Sequence, residues 1–267
     1  MNGLGPLISE AVQDAVRRRL VYVVGAICLM SLLGLDSCSS MLPSTIEVNG
    51  EPVDMGSTVA ASAGLVTFVI MGLWVITLAG VLAADQLRET LEDGSAALTL
   101  ARPVSRTTFA LGRLAGVLTV AWAAAGFLLC VSAYLLSSRH AVPMAPAFLA
   151  VIACALSAFT LATWSMAASL AMPRVATTLL VFAVVGMVTL TNAIGAAVEI
   201  PGIFGLVNEY GPPLASSMIG SLASWLPENA AASLRIDNVE TFARLALWAA
   251  AGLGTLLFSI RRIELGR

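Results

Sequence analysis

The densest run of ionisable side chains in this chain is Asp85, Arg88, Glu89, Glu92 and Asp93, followed by Arg102, Arg106 and Arg113. Elsewhere charge is sparse, since only 11% of the 267 residues are charged. Opposite charges this close on a short polar segment suit the docking of a soluble partner, because charge complementarity steers encounter and fixes register. They do not suit catalysis. Ser, His and Asp do not cluster, and His140 is the only histidine. No Cys/His spacing fits a metal. Cys28, Cys130 and Cys154 fall inside apolar runs and read as small buried hydrophobes, while Cys38 is expected in a loop. The ten methionines are scattered and read as core residues, not as a copper site. All fourteen cationic residues are arginine. A P-loop uses a lysine to reach the β- and γ-phosphates, and this chain has neither that lysine nor the glycine-rich pattern. No bound cofactor and no enzymatic activity are therefore expected of this chain by itself. Any ATP hydrolysis coupled to it must come from another polypeptide. The net charge of −2 offers no argument for nucleic acid, and no such partner is expected.

The elements that hold the charged run in place are expected to be membrane spans. Hydrophobic residues make up 58% of the chain, whereas soluble domains have about 45–50% apolar and about 25% charged residues. Apolar runs lie at about 20–35, 58–83, 114–136, 146–171, 175–198 and 241–260. A crossing helix needs roughly 20 such residues. The first run is short, and a preceding helix can feed into it. The expectation is an all-α integral membrane protein, a single transmembrane domain over 1–267 with six transmembrane helices. The fourth and fifth spans are separated only by Met172, Pro173 and Arg174, which predicts a tight hairpin. Before the first span, Leu4, Leu7, Ile8, Ala11, Val12, Ala15 and Val16 recur at helical spacing opposite Glu10, Gln13, Asp14 and Arg17. This predicts an amphipathic helix over about 4–19, interfacial with its apolar face in lipid; the alternative is a solvated lead-in to the first span.

Orientation follows from arginine, which accumulates on the cytoplasmic side. With the N-terminus inside, Arg17, Arg18, Arg19, Arg88, Arg102, Arg106, Arg113, Arg174, Arg261, Arg262 and Arg267 are all cytoplasmic, and only Arg139, Arg235 and Arg244 fall outside. Both termini are expected inside. A lipoprotein signal ending at Cys38 is a competing reading, but Asp36 is neither small nor apolar and the lead before the apolar run is long.

The outer segment 199–240 is more than a loop. Gly211-Pro212-Pro213 interrupts it, and Leu214, Met218, Ile219, Leu222 and Leu226 then follow helical spacing up to Pro227. A run this short cannot cross the membrane, so a re-entrant or interfacial helix before the last span is expected, with Trp225 at headgroup level. A helix packed over the bundle is the alternative. Within span four, Ser157, Thr160, Thr163, Ser165 and Ser169 either line a polar path or bond between helices, and Asn192 in span five carries the same two readings. Gly112 and Gly116 offer close helix approach. No acid lies inside a span, and proton-coupled carriers usually place one there, so energy is expected to enter from outside the bilayer.

The segment from Ala84 to Gly116 is expected to form a cytoplasmic loop, with its coupling portion at about 84–113. Leu87, Leu91 and Leu98 give a broken apolar stripe, and Gly94 is expected to divide two short helices. Pro103 disfavours a helical conformation at Arg102, and Ser105 is placed to cap the helix entering span three. A rigid, charged segment between two spans can transmit a partner's motion into both; the plain alternative is an amphipathic connector.

Leu98, Leu100, Arg102-Pro103-Val104-Ser105-Arg106 and Leu111-Gly112-Arg113 resemble the cytoplasmic loop of type-2 ABC exporter permeases, which share an acidic-x-Gly-Thr start, a "PVSR" core and a following basic residue. This chain has Ser95 where threonine is common and Arg113 where lysine is common. The specific likeness covers about thirty residues, while the span pattern covers the whole chain. It is most similar to the branch with permeases for nitrous-oxide-reductase maturation and gliding motility. The resemblance implies a bacterial inner-membrane subunit that pairs with a second permease copy. It also implies an ABC ATPase, with its ATP and Mg, docked on Asp85, Arg88, Glu89, Glu92, Asp93, Gly94, Arg102, Pro103, Ser105 and Arg106. A substrate path would lie between the two copies, and an extracytoplasmic accessory protein fits the same architecture. The alternatives are a subunit that passes mechanical or assembly signals without transport, and a stand-alone carrier or membrane enzyme.

Overall fold

The computed structural model describes residues 4–17, 19–41, 46–48, 51–53, 55–92, 105–140, 142–195, 202–226, 231–232, 234 and 236–262. In chain order these form α1 (Leu4–Arg17), α2 (Arg19–Met41), β1 (Ile46–Val48), β2 (Glu51–Val53), α3 (Met55–Glu92) and α4 (Arg106–His140). There follow α5 (Ala145–Ser169), α6 (Arg174–Gly195), α7 (Ile203–Tyr210), α8 (Ser216–Ser221), a 3₁₀ turn (Ala223–Trp225) and α9 (Asn238–Arg262). Five of these helices, α3 to α6 and α9, are long and apolar enough to cross a membrane, and α2 carries the shorter apolar stretch Val21–Met30. The chain is thus a helical protein of multi-pass membrane character.

α3 and α5 form the centre. α3 packs against α2, α4, α5 and α6, and α5 packs against α3, α4 and α9. Small residues make this closeness possible, as expected where lipid leaves close packing as the main source of helix association. A Cβ at Gly80 would lie 2.8 Å from Leu161 Cδ2 and 2.9 Å from Val181 Cγ1, so α3 meets both α5 and α6 at this residue. At Gly72 the thioether of Met218, from α8, fills the space a side chain would need. Gly72→Leu is expected to displace α8 and lower the unfolding free energy by about 1–3 kcal/mol, the usual cost of overpacking. Thermal unfolding of the detergent-purified chain checks this; an unchanged melting temperature contradicts the packing of α8 on α3.

Several boundaries differ from the sequence expectation. α3 does not end near Ala83 but continues as one helix to Glu92, because Asp85, Gln86 and Leu87 are still buried against neighbouring elements. α2 likewise runs to Met41, which places Cys38 in a helix and not in a loop. A two-stranded antiparallel hairpin, pairing Ile46 with Val53 and Val48 with Glu51, joins α2 to α3. Its strands are separated by Asn49-Gly50, a pair that two-residue hairpin connections favour. The apolar face of α1 is covered by α4: Leu7, Ala11 and Ala15 are buried in protein contacts and not left for lipid.

Candidate functional site

The helix directions place the end of α3, the starts of α4 and α6, and α1 at one end of the bundle, and two ion-pair clusters hold them there. The first centres on Arg113, which is 2% exposed. Its Nη1 donates to Asp14 Oδ2 at 2.8 Å and to Gln86 Oε1 at 3.2 Å, and its Nη2 donates to Glu10 Oε1 at 3.2 Å. One planar guanidinium thus joins α1, α3 and α4, which the fork geometry of arginine allows and a lysine would not. Gln86 also donates from Nε2 to the Ala11 carbonyl oxygen at 3.3 Å. The Arg113 guanidinium lies 5.7 Å from the centre of the Phe109 ring. Gly116, one helical turn further on, admits the α1 backbone: a Cβ there would meet the Ala11 side chain and approach the Ile8 carbonyl oxygen to 3.2 Å.

The second cluster joins the end of α3 to the α5–α6 connection. Arg174 Nη2 donates to Asp85 Oδ2 at 2.7 Å, with Asp85 buried and Arg174 exposed. Asp85 is therefore not part of an open charged face, as the spacing suggested; burial at the helix contact holds it inside. Arg174→Ala is expected to lower the unfolding free energy by about 1–2 kcal/mol, less than for a fully buried pair because its own side is solvated. Arg174→Lys should restore part of this. Thermal melts of both variants check it, and equal loss in both would mean that charge is not what the site uses.

Between these anchors, Ser105 caps α4: its Oγ accepts the Thr108 N–H at 3.1 Å, as its position predicts. Arg106 begins α4 and is exposed. Arg88, Glu89 and Glu92 lie on the last turns of α3, with their side chains outside the described residues, as are Asp93, Gly94, Arg102 and Pro103 altogether. The sequence reading missed the role of Arg113, although its helical spacing from Gly116 and the acids of α1 were visible. Pairing across Glu10, Asp14 and Gln86 has no local signature.

At the opposite end, Trp225 is buried and not at a surface. Its Nε1 donates to the Pro143 carbonyl oxygen at 3.0 Å, and its ring meets Phe68 edge to face at 5.8 Å. Four of the five hydroxyls singled out on α5 bond within their own helix, while Ser157 Oγ is buried with no hydrogen-bond partner among the described residues. Thr160, Thr163, Ser165 and Ser169 each donate to a carbonyl of their own helix three or four residues back. A cavity of about 270 Å³ lined by Leu161, Trp164, Leu180, Val181, Val184 and Trp248 is almost wholly apolar. On α7, Glu209 holds the Tyr210 phenol above its usual range, chiefly through a side-chain hydrogen bond. Among the described residues no three His, Cys, Asp or Glu side chains converge as metal ligands.

Comparison with known proteins finds no matching family model and no matching curated protein.

Proposed function

We propose that this chain is the membrane subunit of an ATP-driven exporter of the type-2 ABC class. In this reading α2 is the first of six spans, both termini are cytoplasmic, and the membrane is the bacterial inner membrane. Two copies pair, and each docks one P-loop ATPase on the segment from Arg88 to Arg106. The short outer elements before α9 form the re-entrant or interfacial portion.

One observation carries the proposal: both flanks of the charged segment are mechanically tied. Upstream, Asp85 and Gln86 bind the last turns of α3 to Arg174 and to Arg113. Downstream, Ser105 starts α4 and Arg113 ties that helix to α1. A push on the segment between them therefore reaches α1, α3, α4 and the α5–α6 connection together. An ordinary connector needs no such anchoring. The resemblance around Arg102–Arg106 names the class of partner, and the absence of lysine assigns ATP hydrolysis to that partner. Purification of the tagged chain from its native membranes tests this: a P-loop ATPase accompanies it, and the isolated chain hydrolyses no ATP.

A further inference from the structure

At the end of the bundle away from Arg113, a polar cavity of about 110 Å³ lies between the end of α6, the helix α7 and the first turns of α9. Asn192, Asn208, Asp237, Glu240 and Arg244 line it. Two of its side chains, Arg244 and Asn192, have donors engaged. Arg244 Nη2 donates to the carbonyl oxygens of Asn208 and Gly211 at 2.8 and 3.0 Å, and Nη1 lies 4.0 Å from Glu240. Asn192 Nδ2 donates to Asn208 Oδ1 at 3.2 Å. An acceptor is left over. Asn192 is 1% exposed, and its Oδ1 has no hydrogen-bond partner among the described residues. A buried acceptor in that state calls for a bound donor. Among the described lining residues the carboxylates of Asp237 and Glu240 outnumber the guanidinium of Arg244, which favours a cation. Asp237 Oδ1 is held in place by the Val239 N–H at 2.8 Å.

We propose that this cavity binds a primary ammonium group, donating to Asn192 Oδ1 and neutralised by Glu240 and Asp237. An ammonium offers three donors and no acceptor, which complements the cavity, whereas a quaternary ammonium offers none. Liquid water occupies about 30 Å³ per molecule, so a cavity of about 110 Å³ admits a small head group together with water. The group could belong to an aminophospholipid or to a free small amine. Ile203, Phe204 and Leu206 are exposed on α7, the helix that contributes Asn208 to the cavity, and offer an apolar surface that acyl chains would contact.

The test uses the full chain purified in detergent. Native mass spectrometry compares retention of phosphatidylethanolamine and phosphatidylcholine with identical acyl chains. Calorimetric titration compares ethanolamine with choline. The expected result is a preference of about tenfold or more, equivalent to ~1.4 kcal/mol, for the primary amine in at least one format. Preference among lipids alone identifies a headgroup, and preference among the free amines identifies a soluble ligand. Glu240→Gln, on the exposed rim, should reduce the preference several-fold without affecting the fold, and Asn192→Asp should strengthen it. Equal binding of the primary and quaternary forms in both formats overturns the proposal. So does a preference left unchanged by Glu240→Gln and Asn192→Asp alike.

Discussion

Arg113→Ala is expected to release α1 from the bundle and to lower the unfolding free energy by about 2–4 kcal/mol. Removing one partner of a fully buried ion pair costs about 3–5 kcal/mol, because the remaining charge is stranded. Here the stranded groups would be Glu10 and Asp14, which keep 53% and 42% of their side-chain surface in solvent and can rehydrate. Gln86 cannot do so as easily, since it is 1% exposed. The loss should therefore fall below the fully buried value but remain well above that of a surface pair, at about 0–1 kcal/mol. Arg113→Lys should recover only part of the stability, because one ammonium cannot span two carboxylates and an amide in the arginine geometry. Combining Arg113→Met with Glu10→Gln and Asp14→Asn should recover more, since no charge is then left without a partner. The direct readout is maleimide labelling of Ala15→Cys, a fully buried position on α1. It should be protected in the parent chain and react rapidly after Arg113→Ala. Continued protection with an unchanged melting temperature would mean that α1 is held by its apolar face alone.

Five long apolar helices were legible in the sequence because lipid permits few alternatives: a run of roughly 20 apolar residues without charge must close its own backbone hydrogen bonds as a helix. The Ser105 cap was legible for the same local reason, a serine placed before a long apolar helix. Misplaced boundaries came from tertiary contacts. Asp85 and Gln86 look like the start of a polar loop by composition, yet burial against Arg174 and Arg113 carries α3 on to Glu92. Arg113 looked like one more surface charge, because nothing near it in sequence shows that Glu10 and Asp14, about a hundred residues earlier, meet it. Trp225 has the chemistry of an interfacial residue, and only the fold supplies Pro143 and Phe68 as its partners. The hydroxyls of span four recur at helical spacing whether they face a path or bond to their own carbonyls, so spacing alone left those choices open. The helix α7 is too short and too apolar on its exposed side to register as more than a loop before Gly211-Pro212-Pro213.

The most direct test of the proposed role is charge reversal on the segment between the two anchors. Glu89→Arg, Glu92→Arg and Asp93→Arg together invert the field over a compact stretch of the docking segment, so the effect should exceed that of single rim charges, which mainly tune association. The anchors Asp85, Gln86, Ser105 and Arg113 are left intact, so the bundle should stay folded. The measurement is copurification of a P-loop ATPase with the tagged chain from native membranes, alongside size-exclusion behaviour and ATP hydrolysis in the eluate. The account predicts that the parent chain brings the ATPase and its activity. The triple variant should elute at the same volume with the ATPase reduced by about a hundredfold, equivalent to ~2.7 kcal/mol. A parent chain that brings no P-loop protein, or a triple variant that holds it with the same affinity and salt dependence, would contradict the account.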